Sequence, residues 1–205
     1  MQKIDFKKDF RELYQAPANG FTYVEVPSML CLMIDGEGDP QNNPEFQTAV
    51  ETLYSAAYTI KFSGKKAGSG PEYSIPPMSG LWWCKGMEGF DPENRDLWLW
   101  TLMLAQPPQL DIQMLTSAIG RLKEKGKKGF WCEIRLETFS EGLCVQTLHI
   151  GPYRDEGPRI AAMHKFIDDQ GYALRGKHHE IYMSDPRRTS PEKLKTILRH
   201  PVTKL

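Results

Sequence analysis

Three side chains near the C-terminal end carry the clearest chemistry: His178, Glu180 and Tyr182, in the stretch "GKHHEIYMSD" at residues 176–185. The stretch reads as a β-strand, and alternate side chains on a strand point to opposite faces. One face then presents His178, Glu180 and Tyr182, and the other presents His179, Ile181 and Met183, the set expected to enter a core under helices. A carboxylate beside aromatic rings loses solvation and its pKa rises, which suits a general base near neutral pH. Such a base can take a proton from water as the water attacks an electrophilic carbon. A tyrosine on the same face can hold the base or the water by hydrogen bond.

Aromatic residues gather elsewhere in the chain. Four of the five tryptophans lie within residues 82–100: Trp82, Trp83, Trp98 and Trp100. A flat polycyclic ligand could stack against such a wall. Parity puts Trp82 and Trp83 on opposite faces, so only one of them lines a given groove.

These residues must be positioned by a repeated frame. "FTYVEVPSMLCLMIDGEGDP" holds two strand-like runs joined near Pro27-Ser28. A helix follows, capped by Asn43 with Pro44 in its first turn, and Phe46, Val50, Leu53, Tyr54 and Ala57 recur at helical spacing. "SIPPMSGLWWC" and "RDLWLWTLMLAQPP" read as strands. A connecting helix at about 109–125 carries Ile112, Leu115, Ile119 and Leu122 on one side. Strands "FWCEIRLETF" and "GLCVQTLHIG" come next, then a helix with Ile160, Met163, His164 and Ile167 on one face, ended by Gly171. The 177–184 strand and a closing "LKTILRHPV" complete the order; this last segment fits a strand or a helix. Each half thus reads strand, strand, helix, strand, strand. "GLWWC" matches "HHEIYM", and that match sets Trp83 beside Glu180 and Tyr182. The expected architecture is an α+β domain of two pseudo-twofold-related repeats, residues 20–107 and 130–202, with antiparallel strands, helices on one side and a groove where the halves meet.

Composition narrows the function classes. With 26 Lys+Arg against 26 Asp+Glu the net charge is zero, which argues against nucleic acid as a partner and against an acidic DNA-mimicking surface. The basic run "RLKEKGKKG" reads as a solvated helix end. No apolar run approaches a membrane span, and "MQKIDFKKDFREL" lacks the apolar core of a signal peptide, so the chain reads as cytoplasmic. Cys31, Cys84, Cys132 and Cys144 lack metal-ligand spacing and are expected as reduced buried thiols. His178 and His179 point apart and do not chelate one ion together. No metal or other cofactor is expected. A Ser-His-Asp triad is not indicated, since Ser184-Asp185 precedes a proline and reads as a turn.

"MIDGEGDP", "GLWW", "WTLM" followed by "QPP", "RLETFSEGLCVQ", "HIGPY" and "HHEIYMSDPRRTSPEKLKTILRHP" together resemble the stand-alone GyrI-like small-molecule-binding proteins, from about residue 10 to the end. The resemblance implies a tandem pair of β-α-β-β units with a ligand cleft between them. Some relatives fuse this domain to a helix-turn-helix segment; the region of about 20 residues before the first strand here is too short for one. Other relatives hydrolyse the cyclopropane ring of DNA-alkylating natural products. The resemblance also implies roles: Glu180 as general base, Tyr182 as its hydrogen-bond partner, and Tyr73, at a family tyrosine position, as donor to a developing oxyanion. Trp83, Trp98, Trp100, Tyr153 and His178 are the expected ligand contacts. Three functions follow: hydrolysis of planar electrophilic lipophiles, passive binding or sensing of lipophilic cations, and inhibition of a partner protein. The sequence leaves ligand identity and oligomeric state open.

Overall fold

The computed structural model describes residues 3–67, 70–86, 90–91 and 94–205. A short helix α1 (Phe6–Asp9) precedes β1 (Thr22–Val26) and β2 (Met29–Glu37). The long α2 (Pro44–Ala67) starts where the Asn43 side chain accepts the Glu45 N–H at 2.8 Å. Next come β3 (Ser79–Cys84) and β4 (Trp98–Gln106). Pro76 and Pro77 lie outside β3, consistent with their lacking a ladder donor. The connecting helix α3 (Ile112–Glu124) is capped by Asp111, which accepts the Met114 N–H at 2.8 Å. Leu115, Ala118 and Leu122 form its buried side, while Ile112 is exposed.

The second series is β5 (Arg135–Phe139), β6 (Gly142–Ile150), α4 (Gly157–Asp169), β7 (Tyr172–Leu174), β8 (His178–Tyr182) and β9 (Lys195–Lys204). β5 is shorter than expected, because residues 131–133 form a turn. The closing segment is a strand. Its near-continuous burial, with Leu198, His200 and Val202 on one face and Ile197 and Arg199 on the other, explains why periodicity alone left it ambiguous.

All strands join one antiparallel sheet ordered β1-β6-β9-β8-β3-β4-β2-β5, with β7 added on β9. The order is symmetric about the β8–β3 seam, and the first strand of each series pairs with the second strand of the other series. β1 runs into β2 through Pro27-Ser28, and β5 into β6 through Ser140-Glu141, yet each of these pairs spans most of the sheet. The sheet must therefore curl until its ends approach, and the Ser28 and Ser140 hydroxyls meet at 2.6 Å.

The helices α2 and α4 cover one face. Leu32, Ile34, Trp100, Leu102 and Leu104 pack under α2, and Val145, Leu198 and Val202 under α4. The other face lines the inside of the curl. There Phe139 of β5 lies edge-on to His179 of β8, 6.2 Å between ring centres. Buried Glu141 takes the His179 Nδ1 bond at 2.9 Å and faces Arg199 at 3.6 Å. Burial pushes the Glu141 carboxyl up, but His179 and Arg199 outweigh it and hold it below the ordinary range.

This arrangement corrects two expectations. The His179–Ile181 face goes inside the curl, and the helices lie over the Glu180–Tyr182 face. Strand parity separates the two faces but cannot say which one a helix covers when both are buried. The cysteines are all free, but Cys132 is exposed, unlike the other three. No described helix is long and apolar enough to cross a membrane.

Candidate functional site

The two helices cover the outer parts of the sheet and leave the β3–β8 seam open between them. A cavity of about 990 Å³ sits there. Its floor follows from the strand register, in which Gly80 lies opposite Glu180 and Trp82 opposite His178. Residues directly opposite one another share a face. The absent side chain at Gly80 leaves the space used by its neighbours: a Cβ there would lie 2.8 Å from Trp82 Nε1 and 3.0 Å from the Tyr182 hydroxyl.

In that space runs a directed chain. The Trp82 indole donates to the Tyr182 oxygen at 3.0 Å, and the Tyr182 hydroxyl donates to Glu180 Oε2 at 3.0 Å. An indole N–H can only donate, so the phenol proton is committed to Glu180. The other oxygen, Glu180 Oε1, lies 3.5 Å from His178 Nε2. His178 is fully buried behind the carboxylate and stacks on Phe90, 5.0 Å away at 7°. Glu180 is 7% exposed. Burial, then the neighbouring Glu180 and Glu156 carboxyls, raise the Tyr182 phenol well above its ordinary value, so it stays protonated.

Glu156, at the mouth of α4, is the acid that sequence reasoning missed. It lines the same cavity and is 3% exposed. Its carboxyl lies beside that of Glu180 in this cavity and near Thr196, the residue opposite Tyr182 in the sheet. Burial first, and Glu180 second, push its pKa well up, which favours its protonated form. The site therefore holds two carboxyls in one cavity.

The walls are aromatic. Phe46 stacks on Trp82 at 6.1 Å and Trp98 meets the same indole edge-on at 5.4 Å. Tyr153 lies edge-on to Tyr182 at 5.8 Å, and burial pushes its phenol up to about 12. At the rim, Arg187 is held by both oxygens of Asp185 at 2.9 Å.

The structure thus brings together Glu180, Tyr182, Trp98, Tyr153 and, behind them, His178. It separates three other expected residues from the cavity. Tyr73 is fully buried and donates to Gln106 Oε1 at 3.0 Å. Trp100 is core, edge-on to Phe46 at 5.2 Å and fitted against Gly36. Trp83 points to the opposite face, with the Lys177 ammonium 3.2 Å from its ring centre. The repeat match placed Trp83 one residue out of register; Trp82 occupies the predicted place. Nothing in the local sequence marks Glu156, since "RDEGP" looks like any acidic helix start. Among the described residues, no group of His, Cys, Asp and Glu is arranged to hold a metal ion.

A curled antiparallel sheet, two helices on one face and an acidic, aromatic cavity between them define an α+β small-molecule-binding domain. The chain belongs to the GyrI-like family: residues 21–203 match its GyrI-like small molecule binding domain. An uncharacterized conserved protein from Listeria innocua is 42% identical, with a TM-score of 0.89 over 98% of this chain and 100% of its own. A hydrolase from Listeria innocua is 40% identical, with a TM-score of 0.88 over the same 98% and 100%. The EcmrR C-terminal domain shares the fold at 11% identity, with a TM-score of 0.56 over 91% of this chain and 98% of its own. No curated protein is significantly similar in sequence.

Proposed function

We propose that this protein binds planar, lipophilic, electrophilic small molecules in the cavity and adds water to them, opening a strained ring such as the cyclopropane of a DNA alkylator. Glu180 is the general base, Tyr182 orients it, and Trp98, Tyr153 and Trp82 hold the flat ligand. The detoxification would take place in the cytoplasm, with no nucleic acid partner and no cofactor. The observation that carries this reading is a carboxylate 7% exposed on the floor of an aromatic cavity, held by one phenol with its other oxygen left to a histidine edge at 3.5 Å. Such a group has basic capacity to spare and little bulk water to compete with the ligand. The relatives from Listeria innocua that are described as hydrolases, at 40% identity, support it.

Incubation with a spirocyclopropyl-dienone should give the ring-opened alcohol. Glu180→Gln should slow this by about 100-fold or more. Equal rates for wild type, variant and buffer would end the catalytic reading.

A second reading is passive binding or sensing of lipophilic cations, with Glu180 as counter-charge. The cage of Phe46, Trp82, Trp98 and Tyr153 around one carboxylate favours it. Here a planar cationic dye should quench tryptophan fluorescence, Glu180→Gln should weaken the binding, and no product should form.

A further inference from the structure

We infer that Glu156 is the second catalytic residue of the cavity: it delivers the proton to the oxygen that receives electrons when the ring opens, while Glu180 takes the proton from water. The inference rests on the hydrolytic reading above.

The geometry assigns the two roles. Glu156 and Glu180 line one cavity and are only 3% and 7% exposed, and two carboxyls side by side in such a place cannot both be ionised without strong repulsion. Glu180 already has what stabilises a charge: the committed proton of Tyr182 on one oxygen and the His178 edge near the other. Glu156 has none of this. Its Oε1 is buried without a hydrogen-bond partner. The shared proton therefore resides on Glu156. The groups facing it agree. Glu180 and Tyr182 come from β8 and Tyr153 from its own segment. None of these supplies a fixed positive charge. The upward shift of the Glu156 pKa, caused by burial and then by Glu180, is consistent with this assignment.

The reaction then balances without solvent protons. Water forms a C–O bond to the ring carbon and gives its proton to Glu180. The ring C–C bond breaks, and its electron pair moves through the conjugated system to the carbonyl oxygen. That oxygen takes the Glu156 proton and leaves as a phenol. Glu180 is now neutral and Glu156 charged, and because both carboxyls line one cavity, one proton transfer between them restores the starting state. The substrate class follows: a neutral electrophile whose opened bond discharges its electrons onto an oxygen.

Wild-type hydrolysis of a spirocyclopropyl-dienone should fall at high pH, where Glu156 loses its proton. Glu156→Gln should lose about 100-fold in rate and also lose the high-pH fall. Glu156→Asp should restore the high-pH fall. A dienone that releases a more acidic phenol should recover much of the rate in Glu156→Gln. In the infrared at pH 7, wild type should show a carboxylic-acid carbonyl band that is missing in Glu156→Gln. Product from wild type together with an unchanged rate or unchanged high-pH limb in Glu156→Gln overturns this inference alone. A carboxylic-acid band that survives in Glu156→Gln and vanishes in Glu180→Gln overturns the assignment of roles. No product from wild type overturns the hydrolytic reading and this inference with it.

Discussion

Replacing Gly80 by alanine tests whether the seam is as tightly built as it looks. The Gly80 backbone is ordinary extended strand, so alanine by itself should help, stabilising by about 0.5–1 kcal/mol through the lower entropy of the unfolded chain. The space reverses that sign. The new methyl would lie 2.8 Å from Trp82 Nε1, 3.0 Å from the Tyr182 hydroxyl and 3.2 Å from Trp82 Cε2. The indole cannot easily retreat, since Phe46 and Trp98 pack against it. Overpacking of this kind costs about 1–3 kcal/mol. Separating the indole from the phenol forfeits a further ~1 kcal/mol. The net expectation is a loss of about 1–3 kcal/mol, with weaker ligand binding, because the phenol that orients Glu180 is displaced. Urea unfolding followed by tryptophan fluorescence measures the stability. Gly120→Ala is the control: this residue is inside α3 with nothing within 4 Å of a Cβ, and alanine there should stabilise by about 0.5–1 kcal/mol. If Gly80→Ala is as stable as wild type and binds ligand equally well, the seam yields readily and the argument for a pre-set Trp82–Tyr182–Glu180 chain is wrong.

The two adjacent tryptophans should behave differently: Trp82→Phe should weaken binding of a planar dye several-fold, whereas Trp83→Phe, on the opposite face, should leave it within twofold; equal effects in a dye titration would contradict the register. Two histidines, buried His200 and half-buried His164, should make the fold acid-sensitive. Burial, then His178, holds His164 down to about 4; burial, then His178 and His164, holds His200 down to about 2, against 6.5 for a free histidine. Their folded values are depressed, so the stability they contribute is full above pH 6.5 and is lost as pH falls, because the unfolded chain takes up protons first. The loss is roughly 1.4 kcal/mol for His200 at pH 5.5, and less for His164, which solvent partly screens. His200→Phe should remove about half of that slope between pH 6.5 and 5.5 in denaturant titrations; an unchanged slope would show that these histidines protonate in the folded state.

Much of the frame was legible locally. Asn43-Pro44, the apolar spacing of α2 and α4, and the turn residues at 27–28 and 140–141 act through contacts a few residues apart, and the elements fall close to where these signals point. Strand parity also put His178, Glu180 and Tyr182 on one face, as found. The C-terminal strand was ambiguous because both of its faces are buried, which removes the alternation that normally separates strand from helix.

The remaining errors share a cause. Trp82 and Trp83 are neighbours with the same chemistry, and only the β3–β8 register, Gly80 opposite Glu180, decides which indole reaches Tyr182. A one-residue slip in a repeat match reverses every side chain. Tyr73 and Trp100 carry groups suited to a ligand site, but α2 buries one beside Gln106 and the other against Gly36. Glu156 had no sequence signal at all. The chain by itself determined the order and type of the elements, the polar face of β8 and the aromatic richness of the region around it, because these depend on local propensity and periodicity. Tertiary structure alone decided that the helices lie over the Glu180 face, that the curl draws the sheet ends together, and that a second carboxyl 24 positions upstream meets the first. Contacts between residues far apart in sequence depend on register and curl, which no local pattern encodes.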